Sequence, residues 1–286
     1  MSGLADDFRR ELHSISVDYA KLFPKIEEIR KEYSEKSAAT RTPDETDDLN
    51  VAEAHMRAYF VDRLLKALHW KVTESVYDGS SASLHVEAPI RSVDEGTVRH
   101  LDYLGYDHES LAPLMIVETK EPGAPLPRLM RSRVDSRLDE RERATEALAR
   151  GLRGHSLQQN WNEWLGTMRD YVRSAQERTK ITPKRVVITN GRWLFVFLDP
   201  ENAFLSTSGS VDSGCIHVFV DQEDILASYA IIFRGLEYDA VRGLVPDQIE
   251  AAQLPVFVMP ADIRAVSRAV RVRLQPRASR LGTFPD

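Results

Sequence analysis

The sequence predicts an α/β fold in which helices flank a mixed central sheet. Three features predict it: short apolar or alternating runs typical of strands, longer segments with apolar residues three or four positions apart, and an Asn-Gly pair between two late runs. We expect helical additions at both ends of this sheet. The expected regions are an N-terminal helical region with a linker (1–48), a core (49–200), and a C-terminal strand and helix extension ending in an Arg-rich tail (201–286).

The chain is predicted to begin with a helix over 1–36. Its apolar residues recur every three or four positions and indicate one buried face: Leu4, Phe8, Leu12, Ile15, Tyr19, Leu22, Ile26, Ile29 and Tyr33. Pro24 is expected to kink or divide this helix, whose apolar face is suited to packing or to dimerisation. A polar linker (37–48) leads to a second helix from Asn50. The buried stripe expected on that helix is Met56, Phe60, Leu64, Leu65 and Leu68.

Seven segments are predicted to form strands. They are KVTESVY (71–77), SLHVEAP (83–89), VRHLDYLGY (98–106), PLMIVETK (113–120), KRVVITN (184–190), RWLFVFLD (192–199) and CIHVFVD (215–221). Asn190-Gly191 predicts a tight hairpin turn without a catalytic role. A charged helix near 135–150, ended by Gly151, and a second helix near 157–178 are expected between the fourth and fifth strands.

Composition limits the classes of function. No apolar run reaches the roughly 18 residues needed to cross a bilayer, and the charged N-terminus lacks the apolar core of an export signal. Cys215 is the only cysteine, which excludes an internal disulfide framework and fits a reducing cytoplasm. With 38 basic and 44 acidic residues the net charge is −6, which is mildly unfavourable for a nucleic-acid binder.

One constellation carries chemistry: an Asp in one strand, followed by Glu-x-Lys at the end of the next. Asp102 lies in the third predicted strand, and Glu118 and Lys120 close the fourth. Residues two apart in a strand project from one face, so adjacent strands can bring these groups to one edge of the sheet. Two carboxylates offer hard oxygen ligands to Mg²⁺, and a lysine can orient the attacking water. Strand-end Glu and Lys are also common surface residues, but four apolar residues before Glu118 indicate a buried strand.

Four segments, in this order, resemble the N-terminal nuclease domain of type I restriction enzyme R subunits, within the PD-(D/E)XK superfamily. They are AEAHMRAYFVDRLLKALHW, LDYLGY, PLMIVETKEPG and RVVITNGRWLFVF. The resemblance implies a restriction-endonuclease-like fold with Asp102 and Glu118 as metal ligands, the Thr119 carbonyl as a third, and Lys120 as the catalytic lysine. It implies Mg²⁺ as cofactor, with Mn²⁺ able to substitute. Glu53 matches a helix acid that supports the metal, although a partner for Arg57 or a solvated helix residue is the alternative.

The chain also departs from the family pattern. Thr167 or Met168 stands where a glutamine is expected before Tyr171, and His69 replaces a glycine. The residues expected to contact nucleic acid are Tyr171, Arg128, Arg131 and Arg133, although a salt-bridged helix is an equal interpretation of the arginines. Trp161 and Trp164 are expected in the core rather than stacked on bases. The tail has six Arg over 264–280, which either contact phosphate or remain solvated.

The resulting hypothesis is a cytoplasmic, Mg²⁺-dependent nuclease that hydrolyses phosphodiester bonds, with DNA favoured over RNA as substrate. No Walker motif is present for a helicase motor, so we expect a stand-alone nuclease or a restriction or antiviral defence effector. Self-association or an activating protein partner is part of the second expectation. The alternatives are a non-catalytic nucleic-acid-binding or scaffold protein that keeps the fold, and a purely structural helical adaptor.

Overall fold

A seven-stranded sheet forms the centre of the structure, a computed structural model that describes residues 2–35, 53–73, 83–91, 98–130, 139–207 and 209–243. Its strands lie in chain order, from β1 to β7. They are β1 (Val72–Thr73), β2 (Leu84–Arg91), β3 (Val98–Tyr106), β4 (Pro113–Thr119), β5 (Arg185–Thr189), β6 (Leu194–Phe197) and β7 (Ile216–Phe219). The β1–β2 and β4–β5 pairs are parallel and the other four pairs are antiparallel. The mixed sheet predicted from the sequence is confirmed.

Seven helices belong to the described residues. They are α1 (Ser2–Glu35), α2 (53–67), α3 (Glu140–Gly151), α4 (Trp161–Thr179), α5 (Gln222–Ala227), α6 (Tyr229–Leu236) and α7 (Tyr238–Arg242). Within α2, Arg57–Val61 form a π-helical turn. A further π turn covers Glu201–Leu205, and a 3₁₀ turn covers Ser213–Cys215. All described residues fall within one compact unit, Met1–Gln253, and none of their helices has the length and hydropathy needed to cross a membrane.

The helices cover both faces of the sheet. On one face, Trp161 and Met168 of α4 belong to the same buried cluster as Ile116 of β4 and Ile188 of β5. Strand side chains alternate between faces, so Val117 points to the other side, together with its cross-strand neighbour Tyr103. On that side the Tyr103 hydroxyl donates to Asp62 of α2 at 2.7 Å. Helix α2 therefore covers the second face, and α1 packs against α2 through Tyr19 and Phe60.

The N-terminal helix differs from the sequence prediction at Pro24. Helix α1 is one continuous element through Pro24, so of the two predicted effects the division is wrong and the kink stays a prediction. Pro24 is exposed, and on the solvent side the main-chain carbonyl that loses its donor can bind water. The apolar face packs within the chain: Phe8 lies 5.4 Å from Phe233 of α6, and Tyr19 lies 5.5 Å from Phe60 of α2, measured between ring centroids. Of the two interpretations of this face, packing is the one observed.

Most predicted elements are found close to their predicted bounds. The stripe Met56 to Leu68 is buried, and Asn190-Gly191 joins β5 and β6 as an antiparallel hairpin. Asp139 caps α3 through a reciprocal capping box with Glu142. The predicted linker (37–48) and the Arg-rich tail lie outside the described residues, and the region boundaries at 48 and 200 stay predictions.

His69 takes a backbone conformation that glycine adopts more easily. Its φ is +65°, in the left-handed region, at the position where the resembled family carries glycine. The His69 Nδ1 lies 3.0 Å from Glu237 Oε1, and the neighbouring Trp70 indole donates to the Leu236 carbonyl at 2.8 Å. The departure from the family pattern therefore keeps the turn and adds a side-chain contact to the start of α7.

Candidate functional site

The antiparallel pairing of β3 and β4 brings the predicted carboxylates together. Tyr103 pairs with Val117, so the same register places Asp102 opposite Glu118 where the ladder ends. Thr119 is the last residue of β4, and the Lys120 main-chain N–H donates to the Thr189 carbonyl of β5 at 2.8 Å. The predicted residues thus share one end of a central strand.

Asp102 is fixed by the residue that follows Glu118. Its Oδ2 accepts two hydrogen bonds of 2.6 Å, one from the Thr119 main-chain N–H and one from the Thr119 hydroxyl. The same hydroxyl lies 3.3 Å from Glu53 Oε1 on α2. Thr119, predicted to act through its carbonyl, therefore also joins Asp102 to Glu53 through its side chain. The sequence pattern gave no indication of this second role.

Glu118 and Lys120 form a buried ion pair with an unsatisfied oxygen. The Lys120 Nζ donates to Glu118 Oε1 at 2.7 Å, and both side chains are 12% exposed. Glu118 Oε2 is buried and has no hydrogen-bond partner. Among the described residues two other buried side-chain atoms share this condition, in Glu27 on α1 and His217 on β7. Glu118 differs from them because its carboxylate lies beside two others.

The electrostatics reflect this crowding. Burial raises the pKa of Glu118 to about 7, and the charges of Asp102 and Glu53 act in the same direction while Lys120 opposes them. Burial and then Asp102 also raise the pKa of Glu53. These shifts indicate that the neighbouring carboxylates repel one another when they are all ionised. A bound divalent cation would offset that repulsion.

The supporting helix α2 contributes a cation as well as Glu53. One guanidinium nitrogen of Arg57 lies 3.7 Å from Asp102 Oδ1 and 3.5 Å from Glu87 Oε1, and the group lies over the Tyr103 ring. Glu53 contacts Thr119 rather than forming a direct ion pair with Arg57, although the charge of Arg57 still acts on Glu53. Arg57 begins the π turn, a feature frequent at functional sites.

Helix α4 closes the other side of the site with aromatic residues. Trp161 is fully buried, as expected, whereas Trp164 is half-buried and its ring lies 5.3 Å from Lys120 Nζ. Tyr171 is 5% exposed and its hydroxyl donates to the His100 carbonyl at 3.2 Å. Burial, with Glu118 as the next cause, raises the pKa of Tyr171 to about 12. Its predicted contact with nucleic acid stays a prediction, from a position buried under the site.

The predicted arginine contacts are only partly described. Arg128 is exposed, and its guanidinium lies 3.5 Å from Glu140 Oε1 at the start of α3. This pairing matches the salt-bridged alternative, although an exposed pair leaves Arg128 accessible. Arg131 and Arg133 lie outside the described residues.

The donor set of the site is small. Within the described residues, no group of three or more His, Cys, Asp or Glu side chains is arranged to hold a metal ion. Of the two predicted carboxylate ligands, the oxygens that remain for a cation are Glu118 Oε2, which has no hydrogen bond, and Asp102 Oδ1, which faces Arg57. Two carboxylate oxygens with a main-chain carbonyl and water suit Mg²⁺, which retains several waters in protein sites.

Known proteins provide no further assignment. Comparison of the chain with known protein families, with curated proteins and with solved structures gives no match.

Proposed function

We propose that this protein is a divalent-metal-dependent nuclease of the PD-(D/E)XK type, with a restriction-endonuclease-like core and DNA as the favoured substrate. The observation that carries the proposal is the buried carboxylate of Glu118, which has one oxygen on Lys120 and the other without a partner. An unsatisfied buried carboxylate oxygen is costly, and such a cost is retained where a ligand relieves it. Asp102 and Glu53 beside it supply the further negative charge that attracts a cation.

The residues present fit Mg²⁺ or Mn²⁺. Glu118 through Oε2 and Asp102 through Oδ1 would hold the ion, with the Thr119 carbonyl as the third protein ligand and Glu53 in support. When bound, the ion supplies a Lewis acid for the scissile phosphate and an activated water. Thr119 keeps Asp102 oriented by holding its other oxygen with two hydrogen bonds.

Lys120 supplies the positive charge that phosphodiester hydrolysis requires. Its Nζ is held by Glu118 and lies over the Trp164 ring, so the charge is fixed in direction and partly shielded from water. From this position the ammonium can orient an attacking water and stabilise charge that develops on the phosphate. The ion pair with Glu118 keeps the lysine in place before substrate binds.

A cleavage assay tests the proposal directly. Purified protein is incubated with supercoiled plasmid, linear duplex, single-stranded DNA and RNA, in Mg²⁺, Mn²⁺ or EDTA. We expect cleavage that requires metal, and about a 10³-fold loss of rate in Lys120→Ala, by analogy with loss of one preorganised stabilising group. Lys66→Ala, which removes an exposed lysine of α2, is the matched control and is expected to cleave at the wild-type rate.

The substrates and variants separate the outcomes. Cleavage of RNA alone would replace DNA as the substrate. Cleavage that persists in EDTA or in Lys120→Ala would show a contaminating or metal-independent activity and would refute the proposed site. Absence of cleavage on every substrate, with DNA binding retained, would favour the second candidate below.

That second candidate is a non-catalytic nucleic-acid-binding protein with the same fold. One observation favours it: Asp102 and Glu118 each have a cationic neighbour from the chain itself, Arg57 and Lys120. A site neutralised internally has less need of a metal. Measurement of Mn²⁺ binding by calorimetry distinguishes the two, because only the nuclease is expected to bind the ion in a manner that depends on Asp102.

A defence role, an activating partner and self-association stay predictions, motivated by the long N-terminal helical face and by the need of a cell to restrain an unspecific nuclease. Much of the apolar face of α1, which suggested a docking surface, is buried, and Phe8 and Tyr19 pack against α6 and α2.

A further inference from the structure

The Asn190 side chain, at the start of the β5–β6 turn, has every hydrogen-bonding position filled. It is 1% exposed, and its Oδ1 accepts from the main-chain N–H groups of Arg192 and Trp193 at 2.9 and 3.0 Å. Its Nδ2 donates to the carbonyls of Pro122 and Ala124 at 3.0 and 3.1 Å. A side-chain amide has two donors and a two-lone-pair acceptor, so no capacity remains. Only the first pair of bonds is needed for a turn.

The second pair of bonds reaches the segment that directly follows Lys120. Strand β4 ends at Thr119, so residues beyond it lack the pairing that fixes a strand. The segment is held at its start by Lys120 N–H, which donates to Thr189 O at 2.8 Å, and by an internal bond from Ala124 N–H to Glu121 O at 2.9 Å. Its remaining anchors are therefore important for where Lys120 can lie.

Those anchors are buried side chains of the β5–β6 turn and of helix α4. Besides Asn190, the Trp193 indole donates to the Ala124 carbonyl at 2.7 Å, and the Trp161 indole donates to the Pro125 carbonyl at 3.0 Å. Ala124 is itself 4% exposed, so its carbonyl needs these donors. Asn190 is the anchor nearest in sequence to the Thr189 carbonyl that binds Lys120.

Asparagine is chemically specific at this position. Aspartate has the same shape and can accept from the two turn N–H groups, but it cannot donate to the two carbonyls and would repel them. Alanine loses both sets of bonds. A residue needed only for the turn would tolerate aspartate, which is common in such turns.

We propose that Asn190 is a positioning residue of the nuclease site, which holds the segment after β4 so that Lys120 stays aligned with Glu118. The inference rests on the proposed function for its catalytic consequence, although the positioning itself is independent of activity. Asn190 acts through Lys120 and touches no reacting atom. Loss of its amide donors is expected to affect turnover, while metal and substrate binding through Asp102, Glu118 and Glu53 persist.

The test compares Asn190→Asp with Thr189→Val. The Thr189 hydroxyl is equally buried and also forms two hydrogen bonds, to Trp193 O at 2.6 Å and from Gly191 N–H at 3.1 Å, but both stay within the turn. For Asn190→Asp we expect kcat to fall about 100-fold, the scale of a 1 Å misplacement, with KM and Mn²⁺ affinity within about threefold by the same reasoning. The fall in kcat for Thr189→Val is expected to be at least ten times smaller than that for Asn190→Asp.

Hydrogen exchange of the main chain provides a readout without activity. In Asn190→Asp the amides of Lys120 and Ala124 are expected to exchange faster, while those of β3 keep wild-type rates. Faster exchange in Asn190→Asp would support the positioning even if the wild-type protein cleaves no substrate, an outcome that counts against the nuclease alone. Unchanged exchange, or equal kcat losses in Asn190→Asp and Thr189→Val, would overturn the positioning role. If Asn190→Asp does not fold, Asn190→Ala, which adds no charge, replaces it under the same criteria.

Discussion

Two buried charged side chains lie on neighbouring strands of the sheet, and the fold surrounds them in opposite ways. Arg185 on β5 is 4% exposed, and its guanidinium donates to the carbonyls of Gly235, Lys184 and Leu198 at 3.1, 2.7 and 3.0 Å. Burial lowers its pKa to about 10, which still leaves it charged at neutral pH. Main-chain dipoles replace the water that Arg185 loses on folding. This charge is part of the structure.

Glu118 on β4 is treated differently. Its one hydrogen bond is to a residue that the proposed mechanism uses, its second oxygen has none, and its pKa is raised to about 7. The comparison with Arg185 shows that this fold can supply hydrogen-bond partners to a buried charge that has only a structural role. An unsatisfied charge at the other end of the same strand pair is therefore best explained by a ligand.

The largest expected effect on stability comes from removing Arg185, the buried charge that the main chain satisfies. Arg185→Met leaves three carbonyls without donors and is expected to lower the free energy of unfolding by about 3–5 kcal/mol. Urea unfolding measures it, with Arg128→Met, at an exposed arginine, expected within about 0.5 kcal/mol of wild type. A loss below 1 kcal/mol at Arg185 would mean that water or other donors satisfy these carbonyls, and the contrast with Glu118 would weaken.

The raised pKa of Glu118 predicts that its contribution to stability falls as pH rises, which is the opposite of the usual behaviour of a carboxyl group. The pKa of Glu118 rises from 4.5 to about 7 on folding, so the folded state holds the proton more tightly than the unfolded state. Relative to alkaline pH, its contribution to stability is fully present below about 4.5 and is lost as pH rises through about 7. Glu118→Gln is expected to remove this dependence and to exceed wild type at pH 8 by up to about 3 kcal/mol.

Unfolding at pH 5.5 and pH 8 tests this, with Glu87→Gln as the matched control because that carboxylate is exposed. Mg²⁺ is expected to stabilise wild type at pH 8 and to leave Glu118→Gln unchanged, since the ion would bind the charged carboxylate. A Glu118→Gln protein that is less stable than wild type at both pH values would show that the Lys120 ion pair outweighs burial.

The strands and the core of the site could be predicted because their signals are local. The run VRHLDYLGY became β3 with its predicted bounds, and the four apolar residues before Glu118 are fully or almost fully buried. Antiparallel pairing of consecutive strands then places Asp102 opposite Glu118 without further information. A period of two and a short connection between β3 and β4 are enough to bring these two carboxylates together.

The missed features depend on contacts between distant parts of the chain. From the sequence, pairing with Glu53 on the same helix is only the alternative for Arg57, and the contact that Arg57 makes with Asp102, forty-five positions away, carries no local signal. The sequence indicates only a turn role for Asn190. Its second set of bonds goes to carbonyls 66 and 68 positions away, which no local pattern can indicate. The continuity of α1 through Pro24 likewise depends on which side of the helix faces water.

The smallest expected effect on stability concerns the hydroxyl of Tyr19, a buried group that is neutral, unlike Arg185 and Glu118. The Tyr19 hydroxyl of α1 donates to the Asn190 carbonyl at 3.1 Å, and burial raises its pKa. Tyr19→Phe keeps the ring that packs on Phe60 and is expected to lower stability by about 1 kcal/mol, or the melting temperature by about 2–4 °C. Tyr59→Phe, at an exposed tyrosine of α2, is the control for the substitution itself. Equal melting temperatures for wild type and Tyr19→Phe would mean that this hydrogen bond does not help to hold α1. A loss near 1 kcal/mol in the free energy of unfolding would show that one neutral hydrogen bond contributes much less than the three hydrogen bonds of Arg185 together.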